Sequence, residues 1–205
     1  MTRRAALDAR LRQAIARHGR LIFARAGGPG GQNVNAVSTQ VEVRVPVDAL
    51  PVPAAKRALL RLIETADVFV QNFRPGVADK LGIGYEALSA HNPRLIYCGL
   101  KGFLTGPYEK RAALDEIVQF MGGLAYMTGP SGMPLRAGAS VVDIMGGMFG
   151  ALGIMAALRE RERTGRGQLV QSSLFESTAF LVAQHMGQQA LTGKAPPPMP
   201  EKASS

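Results

Sequence analysis

Apolar positions along the chain follow two different grammars, and the change between them comes near residue 66. In the first stretch Leu7, Leu11 and Ile15, with Ala14, recur at helical spacing and predict an amphipathic helix over residues 5–18. Residues 26–33 hold four Gly and one Pro in eight positions, which predicts a loop. Val41-Glu42-Val43-Arg44-Val45 alternates with period two and predicts a strand. Pro51 and Pro53 then precede a predicted helix from about Ala54 to Thr65, with Leu59, Leu60 and Ile63 on one face. From Asp67 onward, Val68-Phe69-Val70 and Leu95-Ile96-Tyr97 are short apolar runs of the buried-strand type, separated by helix formers such as Tyr85–Ala90. That alternation predicts an α/β region with parallel pairing. The apolar, Gly-rich run Ile144–Leu158 predicts a buried core helix after Asp143, capped near Thr164-Gly165-Arg166-Gly167. A strand over Leu169–Leu174 and a helix over Phe175–Leu191 follow, and the Pro-rich tail from Ala195 to Ser205 shows no reason to fold.

Composition narrows the class. The chain has 205 residues, 46% hydrophobic and 19% charged, which excludes disordered, collagen-like and coiled-coil classes. Its net charge of +9 is uneven: residues 1–60 hold ten basic and three acidic residues, while residues 61–205 hold fourteen and twelve. A basic N-terminal third on a nearly neutral body predicts an attached polyanion-binding module. The single cysteine, Cys98, allows no internal disulfide. With no CxxC or Cys/His cluster and three scattered histidines, a metal site is not expected. The Arg-rich N-terminus lacks an apolar core segment, and the run 144–158 is shorter than the roughly 20 residues a bilayer requires. A cytoplasmic protein with no membrane partner is the expectation.

Two groups of residues carry chemistry. The first is Gly30-Gly31-Gln32 on its Gly-Pro loop. Glycines let a bulky partner approach the main-chain amides, and a free amide beside an attacking water stabilises the oxyanion of ester hydrolysis. Arg17, Arg20, Arg25 and Arg44 flank the loop and would hold phosphates in a salt-dependent way. The string Phe23-Ala-Arg-Ala-Gly-Gly-Pro-Gly-Gly-Gln-Asn-Val-Asn35, followed by Ser38-Thr39 and Val41–Arg44, resembles the catalytic domain of class I peptide chain release factors and of ribosome-rescue peptidyl-tRNA hydrolases. The resemblance covers about residues 7–62. It implies that Gln32 helps water cleave a peptidyl-tRNA ester, that Gly30 and Gly31 shape the loop, and that ribosome and tRNA are partners. That family usually has Lys where this chain has Ala36.

The second group lies in the α/β region. Asn72-Phe73-Arg74-Pro75-Gly76 would form a loop after a strand, where open α/β sheets bind ligands, and Arg74 and Lys80 could meet phosphates there. Asp143 stands at the start of the apolar helix, a position that also suits a plain N-cap. The segments Ala66–Gly76, Leu81–Tyr85, Asn92–Tyr97, Gly106-Pro-Tyr108 and Arg163–Gln168 together resemble the family III CoA-transferases over about residues 60–205. The resemblance implies that Asp143 is a nucleophile attacking an acyl-CoA thioester, passing through an aspartyl anhydride and an aspartyl-CoA thioester. It also implies that Asn72, Phe73, Arg74 and Lys80 line the coenzyme A site, that Gln119 approaches the active site, and that acyl-CoA and a carboxylic acid are substrates, with no metal. A homodimer is implied if the fold is completed. The family often has an aromatic residue where this chain has Leu114, and its members extend beyond this chain at both ends.

The expected organisation is therefore α/β overall. A small α+β GGQ-type module, residues 1–62, precedes a partial Rossmann-like parallel-sheet domain, residues 63–194, and a Pro-rich tail, 195–205. The leading function is CoA transfer between an acyl-CoA and a carboxylic acid through Asp143. The alternatives are ribosome-dependent peptidyl-tRNA hydrolysis through the GGQ loop and an inactive, truncated fusion.

Overall fold

The computed structural model describes residues 53–199 throughout. Before them it describes the helical positions Ala9, Arg12, Gln13, Ala16 and Arg17 and the strands β1 (Arg20–Ala24) and β2 (Gln40–Arg44). The chain divides into two units, Met1–Glu64 and Thr65–Ser205.

In the first unit the five helical positions repeat at three- and four-residue spacing and are all exposed, as the polar side of the amphipathic pattern requires. β1 and β2 pair antiparallel, with Arg20 opposite Arg44 and Ala24 opposite Gln40. β2 thus begins one residue ahead of the alternation read from Val41. β1 has no such alternation, and nothing in the sequence had singled it out. Helix α1 (Ala54–Thr65) has the bounds that Pro53 and the apolar spacing predict, and it buries Leu60 and Ile63 while Leu62 stays exposed.

The second unit is built on a parallel sheet in the order β3 (Val68–Gln71), β4 (Ile96–Lys101), β5 (Leu169–Ser173). Helices α2 (Val77–Leu81) and α3 (Tyr85–His91) connect β3 to β4. Helices α4 (Asp115–Met121), α5 (Leu124–Thr128) and α6 (Val141–Thr164) connect β4 to β5. Helix α7 (Leu174–Thr192) leaves β5 with no intervening loop. Its start is capped by Ser173, whose hydroxyl accepts from the Glu176 amide and donates to the Glu176 carboxylate. Leu95, Ile96, Tyr97 and Cys98, on or beside the central strand β4, are buried. β3 departs from the buried-strand expectation, with Val70 52% exposed, because it pairs along one side only and lies at the edge of the described sheet.

α6 lies along β4 and β5 and runs against their direction. Near its start, the Gly146 carbonyl accepts from the Ser172 hydroxyl at 2.8 Å, close to the end of β5. Near its finish, Arg161 donates to the Arg94 carbonyl at 3.0 Å and to the Asp67 carboxylate at 2.8 Å, just ahead of β4 and β3. The helix sits close because its inner face is glycine: a Cβ on Gly150 would stand 2.8 Å from Leu100 Cδ2, and one on Gly153 would stand 2.7 Å from Val170 Cγ1. Gly165 ends the helix in the left-handed region and donates to the Arg161 carbonyl, as the sequence predicted.

Two further expectations need correction. α6 is not buried all round: Ile144, Met148, Leu152 and Met155, on the face away from Gly146, Gly150 and Gly153, are each more than half exposed. Its length and apolar composition would also suit a membrane span, although here one face packs on the sheet. The described part of the Pro-rich tail does pack, since Pro196 and Pro198 are buried and the Pro196 carbonyl accepts from the Tyr126 hydroxyl at 3.2 Å.

Candidate active site

Because α6 runs antiparallel to the strands, its first turn lies at the carboxyl edge of the sheet, the edge where open α/β sheets place ligands. Asp143 is the third residue of that turn and is exposed. It is not the N-cap that its position in the sequence also allowed. Ser140 holds that place, and its side chain makes no cap bond.

The capping is done by another element. Asp115, the first residue of α4, is 4% exposed, and its Oδ2 accepts from the amides of Val142 at 2.8 Å and Asp143 at 3.1 Å. Its Oδ1 accepts from Gln119 Nε2 one turn along α4, and Arg136 lies 3.8 Å from the same oxygen. Gln119 is fully buried, and its Oε1 accepts from the Ala137 amide at 2.8 Å. The segment 136–143 is thereby held from α4 by a buried carboxylate and a buried amide. With Val141 donating to Ala139 and Ile144 to Ser140, every first-turn amide of α6 has an acceptor.

This arrangement leaves the Asp143 carboxylate without a share of the helix amides. Partial burial of the carboxyl, followed by the charges of Asp115 and Glu116, pushes its pKa above the ordinary aspartate range, and Arg136 acts in the opposite direction. A carboxylate that is exposed and destabilised as an anion is suited to form a covalent bond to an acyl carbon.

The remaining residues singled out in the sequence are dispersed. Asn72, Phe73 and Arg74 are exposed on the loop that leaves the carboxyl end of β3, and the Phe73 amide donates to Gln71 Oε1 at 2.7 Å. Lys80 is exposed on α2. Neither Arg74 nor Lys80 is held in an ion pair among the described residues, so both cations face solvent on the loop and helix that follow β3. The loop with Arg74 leaves the carboxyl end of β3, the same edge of the sheet at which α6 begins. Gly30, Gly31, Gln32 and Arg25 lie outside the described residues. Arg17 is exposed on a helical position, and Arg20 and Arg44 occupy opposed register positions. Among the described residues no group of three His, Cys, Asp or Glu could hold a metal ion. Sequence reasoning gave no role to Asp115 or Arg136, although Asp115 and Gln119 at i, i+4 spacing carry the signal of a side-chain pair on one helix face.

Two concavities lie away from Asp143. An open groove of about 700 Å³ runs along Ala156, Arg159, Glu160, Glu162 and Arg163, at the opposite end of α6 and on a solvated charged face. A smaller cavity of about 250 Å³ lies between α5, α7 and residues 195–196, where Met121, Tyr126, Met127, His185 and Met186 are among its walls.

Comparison with known proteins bears on this geometry. The acetyl-CoA:oxalate CoA-transferase of Acetobacter aceti is 46% identical over 140 residues, which is 67% of this chain and 36% of that protein. The succinate–glutarate CoA-transferase of Agrobacterium fabrum is 37% identical over 183 residues, 84% of this chain and 46% of that protein. Among solved structures, a CAIB/BAIF family protein from Brucella suis matches with a TM-score of 0.69 and 39% identity, covering 72% of this chain and 40% of that one. A hypothetical protein from Mycobacterium tuberculosis matches with a TM-score of 0.62 and 34% identity, over 68% of this chain and 41% of that one. The chain thus spans less than half the length of these relatives. The family model described as CoA-transferase family III matches residues 45–205. From α1 onward, this chain belongs to CoA-transferase family III.

Proposed function

We propose that the chain takes part in moving coenzyme A between an acyl-CoA and a carboxylic acid, with Asp143 as the covalent nucleophile. The observation that carries the reading is the exposed Asp143 carboxylate on the first turn of α6, with its backbone fixed by Asp115 and its pKa raised. In the first step an Asp143 oxygen bonds to the thioester carbon, the C–S bond breaks, and CoA leaves as thiolate with a mixed anhydride on Asp143. The thiolate then attacks the aspartyl carbonyl, the C–O bond breaks, and the donor acid departs, leaving an aspartyl-CoA thioester. The acceptor carboxylate reverses the two steps in its own favour and returns Asp143 to the free carboxylate. One thioester and one carboxylate are consumed and one of each is formed, so no external energy source or redox partner is required, and the covalent intermediates divide the exchange into separate steps.

In this reading Arg74 and Lys80 meet the phosphates of CoA, while Asn72 and Phe73 supply polar and apolar contacts on the same loop. Gln119 acts through the segment it holds. Acyl-CoA and a carboxylic acid are the partners, and a homodimer belongs to the same reading. The test follows isotope from acetyl-CoA or succinyl-CoA labelled in the coenzyme A moiety into oxalate or glutarate thioesters, the acids that the two named relatives' names carry. Exchange that vanishes in Asp143→Ala supports the proposal, and equal exchange by both proteins removes Asp143 from the mechanism.

A second reading, peptidyl-tRNA ester hydrolysis, is favoured by one observation: the antiparallel strands β1 and β2 flank the segment that contains Gly30, Gly31 and Gln32. The opposed Arg20 and Arg44 and the exposed Arg17 suit an RNA backbone. Release of peptide from ribosome-bound peptidyl-tRNA that Gln32→Ala abolishes would support it, and no release at low salt would remove it.

A further inference from the structure

We propose that Asp115 is a positioning residue for Asp143: by accepting from the amides of residues 142 and 143 it fixes the first turn of α6, and with it the direction in which the Asp143 side chain leaves the helix. The inference rests on the reading of Asp143 as nucleophile and deepens it. Helix starts ordinarily satisfy their free amides with the N-cap side chain, and Ser140 does not do so here. A buried carboxylate from a different helix, 27 residues upstream of Val142, takes that place at 2.8 and 3.1 Å. Bonds from amides to a carboxylate shielded from water are charge-assisted and stronger than neutral ones.

The carboxylate is itself locked. Gln119 has one possible orientation, because its Oε1 accepts from Ala137, so its Nε2 must face Asp115. Arg136 stands over the same Asp115 oxygen and also lies 4.0 Å from Glu116. An asparagine at 115 could keep one oxygen on the amides only by turning its NH2 toward two donors, Gln119 and Arg136. The site therefore selects a carboxylate by its donors, and the isosteric substitution is disruptive.

Asp115 has a second effect on the same atom pair. Its charge, with that of Glu116, opposes ionisation of Asp143, while Arg136 favours it. The charged groups on the other elements packed along the start of α6 are already engaged: Glu176 of α7 with Ser173 and Leu104, and Lys101 of β4 with Glu109. Asp115, Glu116 and Arg136 are thus the groups whose substitution should move the Asp143 titration.

The test uses the full chain and three readouts: amide hydrogen exchange at residues 142 and 143, the Asp143 carboxyl titration by carbon NMR, and steady-state acyl exchange. Asp115→Asn should speed exchange at the two amides by roughly 10- to 100-fold, the loss of charge-assisted hydrogen bonds, with little change at residues 150–158. It should also move the Asp143 titration toward lower pH. Turnover should fall by about 100-fold with KM for acyl-CoA within about threefold, since a nucleophile misplaced by about 1 Å costs that much. Arg136→Met, at a half-exposed position, should fold normally and move the titration toward higher pH. Unchanged protection at 142 and 143, or lost protection with full turnover, overturns the proposal. If the unsubstituted chain shows no acyl exchange, the nucleophile reading fails. The amide and titration readouts then decide separately whether Asp115 holds the turn.

Discussion

Replacing Gly147 and Gly153 by alanine should change stability in opposite directions, although they lie within two turns on the same helix. Either substitution gains about 1 kcal/mol of intrinsic helix propensity. At Gly147 a Cβ meets nothing within 4 Å, so that gain should be realised in full. At Gly153 the new carbon would stand 2.7 Å from Val170 Cγ1, whereas carbons in contact rest at about 3.5–4.0 Å. Valine is stiff at χ1, so the overlap has to be relieved by moving helix against strand, and overpacking of this kind costs about 1–3 kcal/mol. Gly150 should fall between the two, because its 2.8 Å neighbour is Leu100 Cδ2, the mobile end of a longer side chain. The assay is urea unfolding with matched slopes, supported by melting points that shift about 3 °C per kcal/mol in a chain of this size. The expected order is Gly147→Ala most stable, then the natural chain, Gly150→Ala and Gly153→Ala. Equal stabilisation by Gly147→Ala and Gly153→Ala would refute the close seating of α6 on β5. Asp143 would then not owe its place at the edge of the sheet to this seating.

Two other outcomes follow from the same geometry. Arg161→Ala should cost about 1–3 kcal/mol in urea unfolding, because its largely buried guanidinium bonds to Asp67 and to the Arg94 carbonyl; Arg163→Ala, whose partner Glu160 is on the same exposed surface, should leave the midpoint unchanged. Asp143→Asn should raise the unfolding midpoint at neutral pH, because a folded-state carboxyl with raised pKa contributes stability that is complete below its unfolded value of 3.8 and is lost as pH rises through the folded value. The advantage of Asn should therefore vanish below pH 3.8, and an advantage that persists there would contradict the sign of the shift.

What the sequence made legible depended on how well each element obeys inside–outside patterning. α1 and the parallel β4 do so, and their residues read correctly. α6 was legible as an apolar helix with its glycine cap, yet its open face was not, because Ile144, Met148, Leu152 and Met155 look like core residues in any sequence. α4 shows why the site itself was harder to read. It buries Asp115 and Gln119 along with Val118, and it exposes Ile117, Phe120 and Met121, the reverse of the usual pattern. A helix whose inner face serves a polar network gives no hydrophobic period, so neither α4 nor the role of Asp115 emerges from apolar spacing. The resemblance to CoA-transferases supplied Asp143 and the loop at Asn72–Arg74, whereas the orientation of those residues came from topology. The family match spans residues 45–205, whereas the resemblance in the sequence covers about residues 60–205.

The most direct measurement of the central claim is covalent. The purified chain, incubated with an acyl-CoA and quenched in acid, should yield by mass spectrometry a proteolytic peptide containing Asp143 with a mass increase equal to an aspartyl-CoA thioester, lost on treatment with hydroxylamine. The same peptide from Asp143→Asn should carry none. Acyl exchange by the natural chain with no adduct at Asp143, or an adduct at another carboxylate that Asp143→Asn leaves in place, would contradict the account.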